Sequence, residues 1–204
     1  MNRLRRIAAI FLFAAVAGTA YADGPDRAPA GSPTEAPVFR WRYNPHGEPA
    51  WLAGEGRKRV EEAIEAWAPC GARFEFAGET WHPPGVRDGR NVIGWNARLG
   101  PGKRAITKTM MKRDGDAAER DVVFNASRDE FRRSPRLLRK VMMHEFGHVL
   151  GLAHSPDCRD VMSLGADCRG VAPDELPLAP TGNDLERCRA ARSRGPVESR
   201  VGAE

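Results

Sequence analysis

Three histidines and a glutamate stand close together in the run His144-Glu145-Phe146-Gly147-His148-Val149-Leu150-Gly151-Leu152-Ala153-His154. On a helix, positions i and i+4 lie on one face a turn apart, so His144 and His148 can each aim a ring nitrogen at one ion. Helical periodicity does not bring His154 onto that face. Gly151, the residue type most able to adopt a left-handed conformation, would end the helix and let the chain turn back to present His154 as a third ligand. Three neutral nitrogen ligands leave one tetrahedral position open, which separates a catalytic zinc site from a closed structural one. Zinc there would lower the pKa of water and polarise a carbonyl, while Glu145 would take the water's proton as general base and pass it to a leaving amine. Only five histidines occur in the 204 residues. Three of them fall in this pattern with the glutamate and glycine, so chance is a poor explanation.

The elements that must position this run can be read around it. Ser134-Pro135 is a helix start, Ser accepting from an orphan amide and Pro tolerated at the first helical position. Leu138, Val141, Met142 and Val149 give that helix apolar positions for packing under a sheet. Upstream, Val38 to Tyr43, Arg73 to Phe76, Asn91 to Asn96, Ala105 to Met110 and Asp121 to Asn125 read as strands punctuated by Gly and Pro. Val60, Ile64 and Trp67 place a helix over Arg57 to Trp67, ending at Pro69-Cys70-Gly71. A last helix is expected from Asp184 to Arg192.

The pattern HExxHxxGxxH followed by a methionine resembles the metzincin zinc peptidases. Met162 lies eight residues after His154, and Ser155 directly follows that histidine; both details resemble the matrixin branch, including its bacterial members. The resemblance implies an α+β zincin fold: a twisted mixed sheet over an active-site helix, a methionine turn and a C-terminal helix. It makes Met162 a hydrophobic floor under one catalytic zinc ion. It places Ala105 to Met110 at the edge of the cleft, where a polypeptide substrate adds as an extended strand near Thr107 and Thr109. Asp184 would cap the last helix and brace the methionine turn, or serve as a simple surface cap. Ser163-Leu164 stands where matrixins usually carry Tyr-Pro, so the wall of the specificity pocket does not transfer. No tyrosine there could assist an oxyanion. The leader has no cysteine to block the zinc, and His46 and His82 alone are too few for a second, structural zinc. Calcium at Asp114-Gly115-Asp116 is a possibility weaker than a polar hairpin turn. Asn125-Ala126-Ser127 is a glycosylation sequon only in a host that glycosylates.

Composition sets the context. Residues 1–22 read as a signal peptide: Arg3, Arg5 and Arg6, an apolar run from Ile7 to Ala17, then Ala20-Tyr21-Ala22 before the cut. Residues 23–37 read as a flexible leader, 38–192 as the catalytic domain and 193–204 as a tail. Without the three arginines of the signal the formal charge falls from +5 to +2, and no arginine-aromatic stripe accompanies it. Nucleic acid is therefore not expected as a partner, nor a membrane after signal removal, and the protein is expected to be a monomer. Export to the periplasm or the medium favours disulfides among Cys70, Cys158, Cys168 and Cys188. Of three possible pairings, Cys158 with Cys168 and Cys70 with Cys188 is preferred. The expected activity is that of an exported zinc metalloendopeptidase, broad or restricted to one partner. The alternative is a secreted zinc-binding or adhesion module whose peptidase activity is lost or incidental.

Overall fold

The computed structural model describes residues 38–100, 102–111, 117–164, 168, 170–172 and 174–193. The expected signal and leader, the Asp114-Gly115-Asp116 turn and the tail beyond Ser193 lie outside them. Five strands, β1 (Val38–Asn44), β2 (Arg73–Glu79), β3 (Val92–Trp95), β4 (Ala105–Met111) and β5 (Ala117–Phe124), form one sheet in the order β2-β1-β3-β5-β4. The first four in that order run parallel, and β4 pairs antiparallel with β5. All four residues of β3 are buried, as expected for a central parallel strand covered on both faces. β4 is an edge strand, bonded to β5 along one side.

Helix α1 (Gly56–Glu65) connects β1 to β2, the kind of crossover that parallel neighbours require. Its Val60, Ala63 and Ile64 are buried, and Trp67 just beyond it is fully enclosed. A short helix α2 (Asp129–Arg133), anchored by the buried Phe131, precedes α3 (Pro135–Val149). Trp41, Ile93, Phe124, Met142 and Phe146 belong to the single core between sheet and helices. Strands β2 and β5 run further than their apolar alternation predicts. Their added ends are held by pairing instead, Glu79 with Tyr43 of β1 and Ala117 to Arg120 with β4.

Two carboxylates of β5 secure the connection that leads into β3. Asp121 accepts from the amides of Gly85 at 2.5 Å and Val92 at 2.7 Å, and Glu119 accepts from those of Asp88 and Gly89. Asn125 of the sequon is buried and donates its Nδ2 to the Lys103 carbonyl at 2.8 Å, which leaves that amide no room for a glycan in the folded chain.

Helix α4 (Gly182–Ser193) closes the chain. Cys188 on it is disulfide-bonded to Cys70, and Cys158 to Cys168. Arg189 and Arg192 donate to the carbonyls of Pro69 and Cys70, at 3.0 and 3.1 Å. The Cys70–Cys188 link spans 118 residues, and closing so long a loop restricts the unfolded chain strongly. Replacing both cysteines by serine is expected to cost about 2–5 kcal/mol, measured as a lower urea midpoint. An unchanged midpoint would show that the link contributes no stability.

Candidate metal centre and active site

Helix α3 starts where Ser134 Oγ accepts from the Leu137 amide at 3.1 Å, with Pro135 in its first turn. Its C-terminus is a Schellman arrangement: the Gly151 amide donates to the His148 carbonyl and the Leu152 amide to the Gly147 carbonyl, both at 2.9 Å. Gly151 sits at φ +86°, and a Cβ there would meet nothing within 4 Å. Its requirement is therefore conformational and not steric. Past that turn the chain doubles back with His154.

The three imidazoles converge. Ring centroids are 4.7 Å apart for His144 and His148, 5.3 Å for His144 and His154, and 4.8 Å for His148 and His154. One nitrogen from each lies within 4.8 Å of the others. His144 donates Nδ1–H to the Val161 carbonyl at 2.9 Å, and His148 donates Nδ1–H to the Leu152 carbonyl at 2.8 Å. A carbonyl can only accept, so both rings carry their proton on Nδ1 and turn a bare Nε2 lone pair inward. Those two Nε2 atoms face each other at 3.1 Å. Two lone pairs at that distance repel unless a cation lies between them. Nitrogens 2.0–2.1 Å from a tetrahedral zinc would stand about 3.3 Å apart, so this pair already fits the ion. Burial holds His144 down at about 3 and lowers His148, which keeps both rings neutral and able to ligate.

Glu145 lines the same cleft as the three rings. It is 6% exposed, and Oε2 accepts from Thr107 Oγ on the edge strand β4 at 2.7 Å. Burial pushes its carboxyl up to about 7, against the pull of the Thr107 hydroxyl and amide. Thr107 as the anchor of Glu145 is not apparent in the sequence, where 38 residues separate the two.

Met162 is fully buried against α3. Gly147, inside α3, explains how closely it fits: a Cβ there would lie 2.1 Å from Met162 Sδ and 3.1 Å from Trp67 Cζ2. The clue in the sequence is a glycine within a helix, which costs about 1 kcal/mol relative to alanine without a packing reason. Trp67 adds a bond from Nε1 to the Met143 carbonyl at 3.0 Å.

The turn that carries Met162 is held by two aspartates. Asp184, fully buried, accepts from the Val161 amide at 2.7 Å and, more weakly, the Met162 amide at 3.4 Å. It also accepts from the Thr181 amide at 3.1 Å, while Thr181 Oγ accepts from the Asp184 amide at 3.2 Å. This is a capping box with Thr181 at the N-cap of α4, so Asp184 both completes the cap and braces the turn. Asp160 accepts from Ser155 Oγ at 2.6 Å, Thr181 Oγ at 2.5 Å and Asn183 Nδ2 at 2.6 Å. Burial raises its carboxyl, but these three donors outweigh burial and hold it below the usual range. A path of bonds therefore runs from Asp184 through the backbone of Val161, by its amide and its carbonyl, to His144.

The chain matches the family model of the matrixins over residues 54–169. It belongs to the matrixin family. No curated protein matches it. Among solved structures it is similar to archaemetzincin from Methanopyrus kandleri, at 15% identity and a TM-score of 0.51, over 77% of this chain and 97% of that one. It is also similar to a chain of the GM1-bound ECX AB5 holotoxin, at 17% identity and a TM-score of 0.48, over 76% and 80%. At these identities the archaemetzincin likeness bears on the fold alone, which is metzincin-like, as the resemblance implied. This matrixin is a zinc metallopeptidase.

Two substitutions test how the centre is supported. Gly147→Ala should lower stability by about 1–3 kcal/mol through overpacking against Met162, despite the better helix former; a melting temperature equal to or above wild type would refute the packing argument. Asp184→Asn keeps the size of the side chain but removes a carboxylate that accepts from several donors. It should weaken zinc affinity about 10–100-fold, as read by competition with a chelating dye.

Proposed function

We propose that this chain is an exported metalloendopeptidase in which His144, His148 and His154 hold one zinc ion and Glu145 is the general base. The observation that carries the reading is the convergence of three ring nitrogens beside a buried carboxylate, all lining one cleft that follows β4. Zinc supplies Lewis acidity when bound, bringing the pKa of water toward neutrality and polarising a carbonyl oxygen. Glu145 accepts the water's proton on its carboxylate and returns it to the leaving amine. Thr107 keeps that carboxylate in one rotamer through its hydroxyl, and the Val161 and Leu152 carbonyls keep the rings of His144 and His148 in one tautomer. Met162 fills the space under the ligands.

The substrate is a polypeptide bound as an extended strand. The side of β4 turned away from β5 offers backbone donors and acceptors to such a segment, and an open groove suits cleavage within a chain. Export is supported by the two disulfides, which persist in oxidising surroundings. Among the described residues no helix is long and apolar enough to cross a membrane.

Zinc-loaded protein lacking residues 1–22 should bind one zinc per chain and cleave an unfolded protein such as casein or members of a peptide library. Glu145→Ala should lose about 10²–10⁴-fold in kcat with zinc stoichiometry intact. Thr107→Val should lose a smaller factor, about tenfold for one misplaced hydrogen bond of about 1.4 kcal/mol. Full activity in Glu145→Ala would sink the mechanism. Stoichiometric zinc with no cleavage across the library would favour the zinc-binding module instead.

A further inference from the structure

Lys140 lies on α3 one turn before His144 and is 7% exposed. Its Nζ donates to the Ser163 carbonyl at 2.7 Å. An ammonium has three N–H donors, and burying one is costly unless it is paired and fully hydrogen-bonded. Among the described residues no carboxylate lies within ion-pair distance of it. Glu145 and Asp184, whose fields reach it, are taken by Thr107 and by the Val161, Met162 and Thr181 amides. Burial draws Lys140 down to about 8, still protonated at neutral pH.

Lys140 lines the same cleft, of about 1120 Å³, as His144, Glu145 and His154. Leu137, Val141, Leu164 and Leu176 supply apolar surface to the same cleft. Arg104, another cation of the cleft, is met by Glu130 at 2.7 Å. Lys103 and Arg128 add further positive charge along the rim. A buried cation lining the cleft, with two N–H donors unassigned among the described residues, calls for an anionic side chain.

We propose that Lys140 is a specificity-determining residue that selects substrates carrying an aspartate or glutamate side chain in the pocket between α3 and the turn at Ser163. The proposal rests on the peptidase reading above and assigns its substrate class. A lysine that only braced the turn at Ser163 would affect stability and all substrates alike; a selecting lysine changes the ratio between substrates.

The test is cleavage-site profiling of the zinc-loaded protein on a peptide library, followed by a matched Glu/Gln peptide pair at the enriched position. Wild type should enrich acidic residues at one position near the cleavage site and favour Glu over Gln by about tenfold or more in kcat/KM. Lys140→Met, close in length and unable to pair, should bring that ratio to about one, and Lys140→Arg should keep it above one. Cleavage without acidic enrichment, or an unchanged ratio in Lys140→Met, overturns the proposal. Should Lys140→Met fail to fold, the wild-type profile and the wild-type Glu/Gln ratio still decide. If wild type cleaves nothing, the peptidase reading fails by itself. Selection is then read from library peptides retained by zinc-loaded Glu145→Ala, where acidic enrichment that Lys140→Gln abolishes sustains the proposal and its absence overturns it.

Discussion

Two bare imidazole nitrogens facing each other at 3.1 Å in a half-buried place form the contact on which this molecule is organised. Left alone the pair is repulsive, and either ring could relieve it by flipping or by taking up a proton. Both escapes are closed: each Nδ1–H is tied to a backbone carbonyl, and burial disfavours the imidazolium. The two nitrogens are thereby held as neutral donors able to share one ion. The rest of the fold can be understood as the means of keeping those rings in place.

Three parts of the chain share that work. The sheet contributes its edge, from which Thr107 reaches Glu145 across the cleft. The long helix contributes His144 and His148 on one face and, on another, a glycine that lets Met162 and Trp67 press against its backbone. The C-terminal helix contributes Asp184, which holds the Val161 amide, and the carbonyl of the same residue holds His144. That last helix is itself fastened to the end of the first through Cys70 and Cys188. A distant disulfide thus belongs to the same mechanical path as His144. Outer partners of this kind commonly tune metal affinity as strongly as they tune stability.

The cleft combines two characters that seldom coexist cheaply. Its walls include leucines and a valine, yet a lysine is buried among them with one carbonyl partner. Such a group is tolerated where surrounding structure is already over-determined, here by α3 and by the turn that Asp160 and Asp184 restrain. The departure at Ser163-Leu164 from the usual matrixin Tyr-Pro lies at that same place.

Much of the site was legible in the sequence because it is local. The i and i+4 spacing of His144 and His148, the break at Gly151, the Ser134-Pro135 start and the five strands all follow from periodicity and backbone preference within a few residues. Helix α2 was not legible, since five residues are too few to display a helical period. Asp184 could be suspected of two roles, but only the fold brought its carboxylate to Val161, 23 residues away, while its own helix took Thr181 as cap. The anchoring of Glu145 by Thr107, the reason for Gly147 and the burial of Lys140 against Ser163 likewise depend on segments remote in the chain. Sequence alone determined which atoms could bind a metal and move a proton, because that chemistry is carried by residue type and short spacing. Tertiary structure decided which of their alternatives survive, because orientation, protonation and pocket charge are set by neighbours that only folding supplies.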